Sequence, residues 1–503
     1  MNVRRTKRDK VIVIGAGFSG LSAAAHLAAD GFDVTIVEKH QQAGGRARTW
    51  SQDGFTFDMG PSWYWMPDLF DRWFERFGHR PSDFYDLRRL DPSYRVYWPT
   101  SSGGGHWDIP AGLGPLRELF ERTERGAGAS FDRFIEQTRY IYETAVGDYL
   151  LRPSLSFMEF FDVRLVSELF KLKMLTSMHR FAGRFFEDPR LVQLCEWPVL
   201  FLGASAKDTS AMYGLMSYAD MALGTWYPMG GMHRIIEAMV TVAKSQGATL
   251  KLGHRVDQIV VEGGRAAGVV TPQGTFRADA VVAAADYHFV ESMLLPTSAR
   301  QFSERSWQRK TMSPSSLLFY LGVDRKLDGF DHHMLFFDED LDRHMDAVYK
   351  RPRWPKAPLF YTCSPSRTDP SVAPEGCENL FILVPLAAGL KDAPDARDVI
   401  YRKVMGRIQR QTGIDVDKHV VVKRSYAMDD FVADYGAFKG NAYGMANTLR
   451  QTGPLKPPLK SRRVDGLYFA GQLTVPGPGM PPSLVSGELA AQVVARDRAA
   501  VKV

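Results

Sequence analysis

Three short segments near the start of the chain carry distinct hydrophobic patterns. Val11–Ile14 is an apolar run that ends at a glycine, which is typical of a buried parallel strand. Leu21–Ala29 is rich in alanine and leucine and predicts a helix that ends near Gly31. Asp33–Val37 is rich in β-branched residues and predicts a second strand. Strand, glycine turn, helix and strand in close succession predict a βαβ unit, whose parallel strands must be covered on both faces.

Further strand patterns appear only much later in the chain. They lie at Thr249–Leu252, Val256–Glu262, Ala266–Thr271, Asp279–Ala284 and Gly466–Ala470, and a helix is predicted from about Ser483 to Ala499. The βαβ unit is therefore expected to be completed by distant pieces of chain. We predict one domain made of residues 1–75, 225–290 and 430–503, and a second made of residues 76–224 and 291–429.

Composition and charge exclude several classes of protein. The net charge of +6 is small for 503 residues and the basic side chains are scattered, so a nucleic-acid partner is not expected. The cysteines Cys195, Cys363 and Cys377 are widely spaced and show no metal-binding pattern, which predicts no metal site, no disulfide framework and a reducing, cytoplasmic location. No apolar stretch is long enough to cross a membrane, and Val11–Ile14 is too short for a signal peptide.

The turn after the first strand has the spacing of a dinucleotide-binding motif. Gly15 permits the tight turn, Gly17 allows the backbone to approach a pyrophosphate, and Gly20 allows close packing of helix and strand. Phe18 and Ser19 lie between them, at the helix N-terminus, whose free N–H groups favour phosphate. Glu38, followed by Lys39, ends the second strand and is placed to accept hydrogen bonds from ribose hydroxyls.

The next motif distinguishes between cofactors. An acidic residue at position 38 suits an unphosphorylated ribose, as in NAD or FAD, and disfavours NADP. The segment Ala43–Thr49 places paired glycines, of which Gly45 is the second, before Arg46, a charge partner for the pyrophosphate. This arrangement favours FAD. The sequence thus predicts an α/β protein with a Rossmann-type FAD-binding domain and a discontinuous α+β substrate domain.

From these residues onward the chain resembles a known family. The glycine motif, the GGR segment and Phe57–Ser62 resemble the amine-oxidase/phytoene-desaturase superfamily of flavoproteins. Within it, Gly224–Met232, Ser371–Cys377 and above all Leu467–Ser483 resemble the bacterial-type carotenoid desaturases. The resemblance covers nearly the whole chain and is weakest between about 80 and 215.

The resemblance implies further FAD contacts. By position, Gly471 and the turn at Gly479 and Met480 are expected against the flavin ring, and Val256 near the adenine. The segment at Gly60, Pro61 and Ser62 belongs to the same set of expected contacts. The helix that begins near Ser483 is expected to direct its N-terminus at the flavin, because reduced flavin gathers negative charge that a helix N-terminus stabilises.

The family's chemistry is removal of hydrogen from a polyene. The resemblance implies that flavin takes a hydride and that a neighbouring carbon loses a proton, with phytoene converted towards lycopene. The candidate catalytic carboxylate is Glu159, near an Arg/Asp pair of the family, but Met158 replaces the arginine. A surface glutamate without a role in the reaction is the alternative. The electron acceptor is expected to be a quinone or oxygen.

A basic amphipathic segment bears on location. Residues 164–186 alternate apolar side chains with five basic ones and a single acidic residue, Glu168. Such a segment can lie in a membrane interface, and a carotenoid must come from a bilayer, so peripheral membrane association is expected. An ordinary packed helix with a solvated face is the alternative.

Other functions fit the same motifs less well. A flavin amine oxidase is disfavoured by the proline-rich C-terminal motif and by the lack of cysteine in the last 120 residues. A non-enzymatic isoprenoid binder is disfavoured by the intact FAD motifs. Within the desaturases, a 3,4-desaturase of hydroxylated carotenoids or a desaturase of C30 chains remains the alternative to a phytoene desaturase.

Overall fold

The structure is a computed structural model that describes residues 8–153, 176–202 and 205–501. Its strands are β1 Lys10–Ile14, β2 Asp33–Val37, β3 Thr49–Gln52, β4 Phe55–Asp58, β5 Leu87–Arg89, β6 Tyr94–Tyr97, β7 His106–Ile109, β8 Trp226–Pro228, β9 Thr249–Lys251, β10 Gln258–Glu262, β11 Arg265–Thr271, β12 Gly274–Arg277, β13 Ala280–Ala283, β14 Ser315–Val323, β15 His333–Phe336, β16 Phe360–Cys363, β17 Glu378–Leu386, β18 Val420–Tyr426 and β19 Leu467–Phe469.

The helices are α1 Phe18–Ala29, α2 Pro67–Glu75, α3 Leu113–Thr123, α4 Ala127–Thr144, α5 Met178–Ala182, α6 Pro189–Glu196, α7 Leu215–Tyr218, α8 His233–Ser245, α9 Tyr287–Phe289, α10 Glu304–Gln308, α11 Leu341–Met345, α12 Pro394–Thr412, α13 Met428–Tyr435 and α14 Met480–Val501. Short 3-10 and π turns join several of them. None of the helices in the described part of the chain combines the length and apolar character needed to cross a membrane.

A five-stranded parallel sheet is assembled from distant parts of the chain. Its strand order is β19-β13-β1-β2-β9, so the first βαβ unit is flanked by strands from the middle and the end of the sequence. Val13 pairs with Val282 on one side and with Ile36 on the other. The predicted α/β fold class is confirmed, and the sheet draws on all three pieces proposed for the first domain. The exact domain boundaries stay a prediction.

Helix α1 packs against this sheet and connects it to two later helices. It is buried along almost its whole length and packs on α8 and on α14. At the crossing with α14, a Cβ on Gly487 would overlap the backbone oxygen of Ser19. Only glycine permits this approach, which fixes the C-terminal helix directly behind the glycine turn.

The second large sheet forms the other half of the molecule. Its order is β18-β14-β17-β16-β15-β6-β7, and β14 pairs antiparallel with β17 over nine residues. Both β14 and β17 are buried nearly throughout, because helix α12 covers one face and aromatic side chains cover the other. The substrate half is therefore α+β, as predicted.

Several predicted boundaries shift in the structure. The strand predicted from Val256 begins at Gln258, which leaves Val256 buried in the preceding loop. The C-terminal helix begins at Met480, three residues before the predicted start at Ser483. Pro481 and Pro482, which precede the predicted start, lie in the first turn, where a helix needs no intrahelical N–H bonds and accepts proline.

Candidate functional site

One large cavity lies between the two sheets. Its volume is about 1280 Å³, above the range of roughly 300–1,000 Å³ typical of sites for a single small ligand. It is lined along one side by the glycine turn and along the other by mostly apolar side chains of the substrate half. The cavity therefore has room for two ligands in contact, a polar, extended one along the glycine turn and an apolar one along the opposite wall.

The N-terminus of α1 faces this cavity. The helix starts at Phe18 with Gly17 as its N-cap, no side chain among the described residues caps it, and its first turn contains no acidic residue. Gly17, Phe18 and Ser19 all line the cavity. Uncapped N–H groups at the positive end of a helix dipole form a binding site for phosphate.

Glu38 ties the glycine turn to the end of β2. Its side chain is buried, and its two carboxylate oxygens accept hydrogen bonds from the backbone N–H groups of Ala16 at 2.8 Å and His40 at 3.0 Å. Each oxygen retains a further lone pair, and Glu38 lines the cavity. Lys39, the next residue, also lines the cavity and donates to the backbone oxygen of Ala433. The predicted contact between Glu38 and ribose stays a prediction.

Arg46 brings a half-buried positive charge to the same wall. Its guanidinium lies 4.9 Å from the ring centre of Tyr435 and donates to the backbone oxygen of Asn441 at 3.3 Å, while its Nε has no partner among the described residues. Burial lowers the pKa of Arg46, and the nearby side chains of Tyr435 and Asp286 counter that effect. A half-buried cation whose buried Nε has no partner among the described residues fits a pyrophosphate, which supplies both charge and acceptors.

The C-terminal loop closes the cavity next to α1. Gly471 donates its backbone N–H to the Ser486 hydroxyl at 2.9 Å and lies against Ser19. Gly479 and Met480 also line the cavity. Because Pro481 and Pro482 fill the first turn of α14 and carry no N–H, this helix end offers fewer donors than predicted.

Three neighbouring strands form the apolar floor. Leu318 on β14 pairs with Leu383 on β17, and Leu383 pairs with Tyr361 on β16. Side chains directly opposite one another in a sheet share a face, so the three stand in one row across the strands. All three line the cavity, and Trp63 and Trp65, which follow β4, line it as well.

The predicted cofactor residues are thus brought together. Lining this cavity are Gly15, Gly17, Phe18, Ser19, Glu38, Lys39, Gly45, Arg46, Gly60, Pro61, Ser62, Val256, Gly471, Gly479 and Met480. Gly20 does not line it and instead packs under the turn, where a Cβ would overlap the oxygen of Gly15. Sequence reasoning missed the floor residues, because each lies on a separate strand in a run of apolar residues that carries no motif.

Two further expectations concern the part of the chain, between about 80 and 215, where the family resemblance is weakest. Glu159, the candidate catalytic carboxylate, lies outside the described residues, as do residues 164–175 of the amphipathic segment. In the remainder of that segment, Phe181 and Phe186 are buried in the core of the substrate half. For residues 176–186 the structure therefore agrees with the alternative of an ordinary packed segment.

The fold and site define a class of protein, a two-domain dinucleotide-binding oxidoreductase with an apolar substrate cavity. Residues 18–495 match the family of flavin containing amine oxidoreductases. The chain is 40% identical over 493 residues to a carotenoid 3,4-desaturase of Haloarcula japonica, covering 97% of this chain and 98% of the relative. It is 33% identical to a zeta-carotene-forming phytoene desaturase of Myxococcus xanthus, covering 96% of this chain and 93% of the relative.

Solved structures show the same architecture. A putrescine oxidase structure superposes with a TM-score of 0.60 over 98% of this chain and 99% of that chain, at 15% sequence identity. The protein belongs to the flavin containing amine oxidoreductase family. It is an FAD-dependent oxidoreductase, and its relatives place it among the carotenoid desaturases. The sequence-based identification is confirmed at this level.

The charge of Arg46 gives a direct test of the cofactor site. We expect Arg46→Leu to weaken FAD binding about 10- to 100-fold, because a charge-assisted hydrogen bond contributes about 1.5–3 kcal/mol. Titration of apoprotein with FAD, followed by flavin fluorescence, measures the change. Arg277→Leu removes an exposed guanidinium that is paired with Glu262 and does not line the cavity, and it serves as control. Equal affinities in the two variants would contradict the assignment of Arg46.

Proposed function

We propose that this protein is a desaturase of acyclic carotenoids and that phytoene is its first substrate. The observation that carries the proposal is the single cavity shared by the dinucleotide motifs and a wall of apolar side chains. A long hydrocarbon has no hydrogen-bond donors or acceptors, so its binding site must recognise it by complementary shape and apolar contacts. The apolar floor, made of Leu318, Leu383, Tyr361, Trp63 and Trp65, provides such a surface.

The chain's own residues bind and orient both partners. FAD, when bound, supplies the acceptor for a hydride taken from the substrate. The backbone at Gly17 and Gly45, the N-terminus of α1 and Arg46 are proposed to hold its pyrophosphate. The floor holds the polyene in place and excludes water, and this positioning accounts for most of the rate enhancement expected from the protein.

The relative with 40% identity favours a second candidate. That protein is named a carotenoid 3,4-desaturase, so this chain could act at the end of an already desaturated carotenoid rather than on phytoene. Both reactions remove two hydrogens from neighbouring carbons of an acyclic chain. They differ in how much of the substrate is already conjugated, and a conjugated chain is stiffer than phytoene.

Two host strains separate the candidates. In a strain that accumulates only phytoene, we expect expression of this chain to yield conjugated, coloured carotenoids, identified by chromatography and absorption. Colourless extracts there, together with conversion of a hydroxylated or already desaturated carotenoid in a second strain, would contradict phytoene as substrate and support 3,4-desaturation. An inactive Gly17→Val variant expressed in parallel controls for host enzymes.

We further propose that the cavity opens towards a membrane surface, from which the substrate enters. Three large apolar side chains that line the cavity are also strongly exposed: Met293 (66%), Val432 (49%) and Leu455 (46%). A side chain that is both exposed and part of a cavity wall marks an opening. Apolar side chains around an opening gain from insertion into the acyl region of a bilayer, and the excess of basic residues favours anionic lipids.

The exposed lining residues Met293, Val432 and Leu455, here called the rim, give a prediction for membrane binding. We expect Leu455→Ser to weaken binding to anionic phospholipid vesicles about threefold to tenfold, because burial of one leucine contributes up to about 1.5–3 kcal/mol when complete. Vesicle sedimentation measures the bound fraction. Val421→Ser removes a side chain of similar exposure (57%) that does not line the cavity and is the matched control. Equal binding of both variants and the wild type would contradict this rim as the contact.

A further inference from the structure

A row of polar side chains leads away from the cavity wall through β16 and β15. It starts at Tyr361, whose ring lines the cavity. The Tyr361 hydroxyl donates to the Oγ of Ser62, another cavity residue, at 3.0 Å, and its oxygen also lies 2.7 Å from the Nδ1 of His333. The indole of Trp63 stacks on the His333 ring with centroids 4.0 Å apart and covers it from the cavity side.

The next contact in the row joins two histidines. His332 and His333 are both buried, and the Nε2 of each has no hydrogen-bond partner among the described residues. Their ring centres are 4.4 Å apart, and one nitrogen of each ring lies within 4.8 Å of the other and of the Cys363 sulfur. A single bridging water can span such a gap when it has several polar partners.

The row ends near the protein surface. The Nδ1 of His332 lies 2.7 Å from the Oγ1 of Thr368, which is half-buried and follows the exposed Arg367. Tyr361, His333, His332 and Thr368 therefore connect the cavity to the outside through hydrogen-bonding groups. Buried polar atoms that lack a partner, as the two Nε2 atoms do among the described residues, destabilise a protein, so their presence points to a functional role.

One choice of tautomers gives every member of the row a donor and an acceptor. The Tyr361 hydroxyl has a single proton; if it rotates from Ser62 to donate to a bare Nδ1 of His333, the His333 proton is on Nε2 and is a donor. If His332 donates from Nδ1 to Thr368, its Nε2 is bare and is an acceptor. The two unpartnered nitrogens then complement each other across the gap, which is the alternation that proton transfer needs.

We propose that Tyr361 accepts the proton released by desaturation and that His333 and His332 pass it to the surface at Thr368, an inference that rests on the proposed function. Desaturation removes one hydrogen with its electron pair, taken up by the flavin chemistry of the family, and one as a proton. As the second C–H bond breaks, its electron pair becomes the new C=C bond. The proton bonds to the Tyr361 oxygen, whose own proton moves to the Nδ1 of His333.

The environment of the histidines suits transfer rather than storage. Burial lowers the pKa of His332 to about 3 and that of His333 well below its usual value, so each ring is neutral at neutral pH, with one nitrogen protonated and the other bare. The carboxylate of Asp369 favours the charged form of His332 and so partly counters the effect of burial. The neighbouring floor side chains Leu318, Leu383, Trp63 and Trp65 carry no proton acceptor, so Tyr361 is the polar group of that floor that can take the proton.

The same residues allow one competing explanation. Two imidazoles and a thiolate are ligands that zinc accepts, and His332, His333 and Cys363 are close enough to be brought around an ion. A bound ion would occupy the nitrogens that the relay needs. Elemental analysis of the purified holoenzyme therefore distinguishes the two explanations without reference to activity.

Tyr361→Phe in the FAD-loaded protein tests the relay. We expect the rate constant of flavin reduction by saturating phytoene to fall about 10- to 100-fold, at the lower end of general acid–base effects. The apparent affinity for phytoene should stay within twofold, and the solvent deuterium isotope effect of the wild type should be lost. Tyr320→Phe is the matched control, since it removes an equally buried hydroxyl that donates to Met59 and does not line the cavity.

A second variant addresses the histidine. His333→Asn keeps a group that can bond to Tyr361 but cannot pass a proton on, so we expect the same loss as in Tyr361→Phe and no further loss in the double variant. Three results would overturn the relay alone. Tyr361→Phe could reduce its flavin at the wild-type rate, or it could lose no more of that rate than Tyr320→Phe does. The third is one equivalent of metal bound to the purified holoenzyme. A wild-type protein that converts no carotenoid would overturn the proposed function, and the relay with it.

Discussion

Gly17→Val is expected to yield a folded protein without bound flavin. Gly17 has an ordinary backbone conformation, with φ −84°, and a Cβ there would meet only Gly44 and Gly45 at 3.9 Å. The chain itself therefore has room for a side chain at this position. The room lies at the uncapped end of α1, where the pyrophosphate is proposed to bind. Steric exclusion of about 3 kcal/mol would weaken FAD binding roughly 100-fold.

Gly20→Val provides the contrast. There a Cβ would overlap the Gly15 backbone oxygen and press on Ala284, so this variant is expected to lose stability as well as flavin. Gly406→Ala, on α12 with open space at the Cβ, is expected to change neither. Circular dichroism and flavin absorbance of the three purified variants measure fold and cofactor separately. A Gly17→Val protein that keeps one FAD per chain would show that the pyrophosphate binds elsewhere.

Lys456→Met is expected to stabilise the protein, and more so at lower pH. The Lys456 amine is buried without a hydrogen-bond partner among the described residues, and burial lowers its pKa to about 7. In the unfolded chain the pKa is about 10.4. Between these values the unfolded state holds a proton that the folded state releases, so stability rises with pH through this window. Below pH 7 both states are charged and the full cost of burial, about 5 kcal/mol, is present.

Urea unfolding at pH 6 and pH 10.5 measures this effect. We expect the free energy of unfolding of Lys456→Met to exceed that of the wild type by nearly the full cost, about 5 kcal/mol, at pH 6, because methionine fills similar space without charge. The difference should nearly vanish at pH 10.5. Lys418→Met replaces an exposed lysine and should change stability by less than about 0.5 kcal/mol at either pH. A pH-independent difference would show that the Lys456 amine has a partner when the protein is folded.

Local patterns carried most of the information about the dinucleotide half. Val11–Ile14, the glycine turn and Asp33–Val37 are consecutive, and their geometry depends on short-range preferences that hold in any parallel βαβ unit. The helix α14 shows the limit of such reasoning. Pro481 and Pro482 precede the helix start predicted at Ser483, whereas in the structure they occupy the first turn of the helix, where a missing N–H costs nothing.

The substrate half could not be read in the same way. Leu318, Leu383 and Tyr361 form one row only because of the pairing register of β14, β17 and β16, and register depends on the whole sheet. His333 and Cys363 are likewise opposite each other across two strands although thirty residues separate them in sequence. Cysteine spacing alone gave no sign of this proximity, since the pairing of strands determines it.

Anaerobic flavin reduction by a carotenoid tests the central claim most directly. The FAD-loaded protein is mixed without oxygen with phytoene in phospholipid vesicles, and flavin absorbance and carotenoid products are followed together. We predict that the flavin bleaches, with one new double bond formed for each flavin reduced. A flavin that stays oxidised with phytoene and with every more desaturated acyclic carotenoid, or that is reduced instead by a simple amine such as putrescine, would contradict the account.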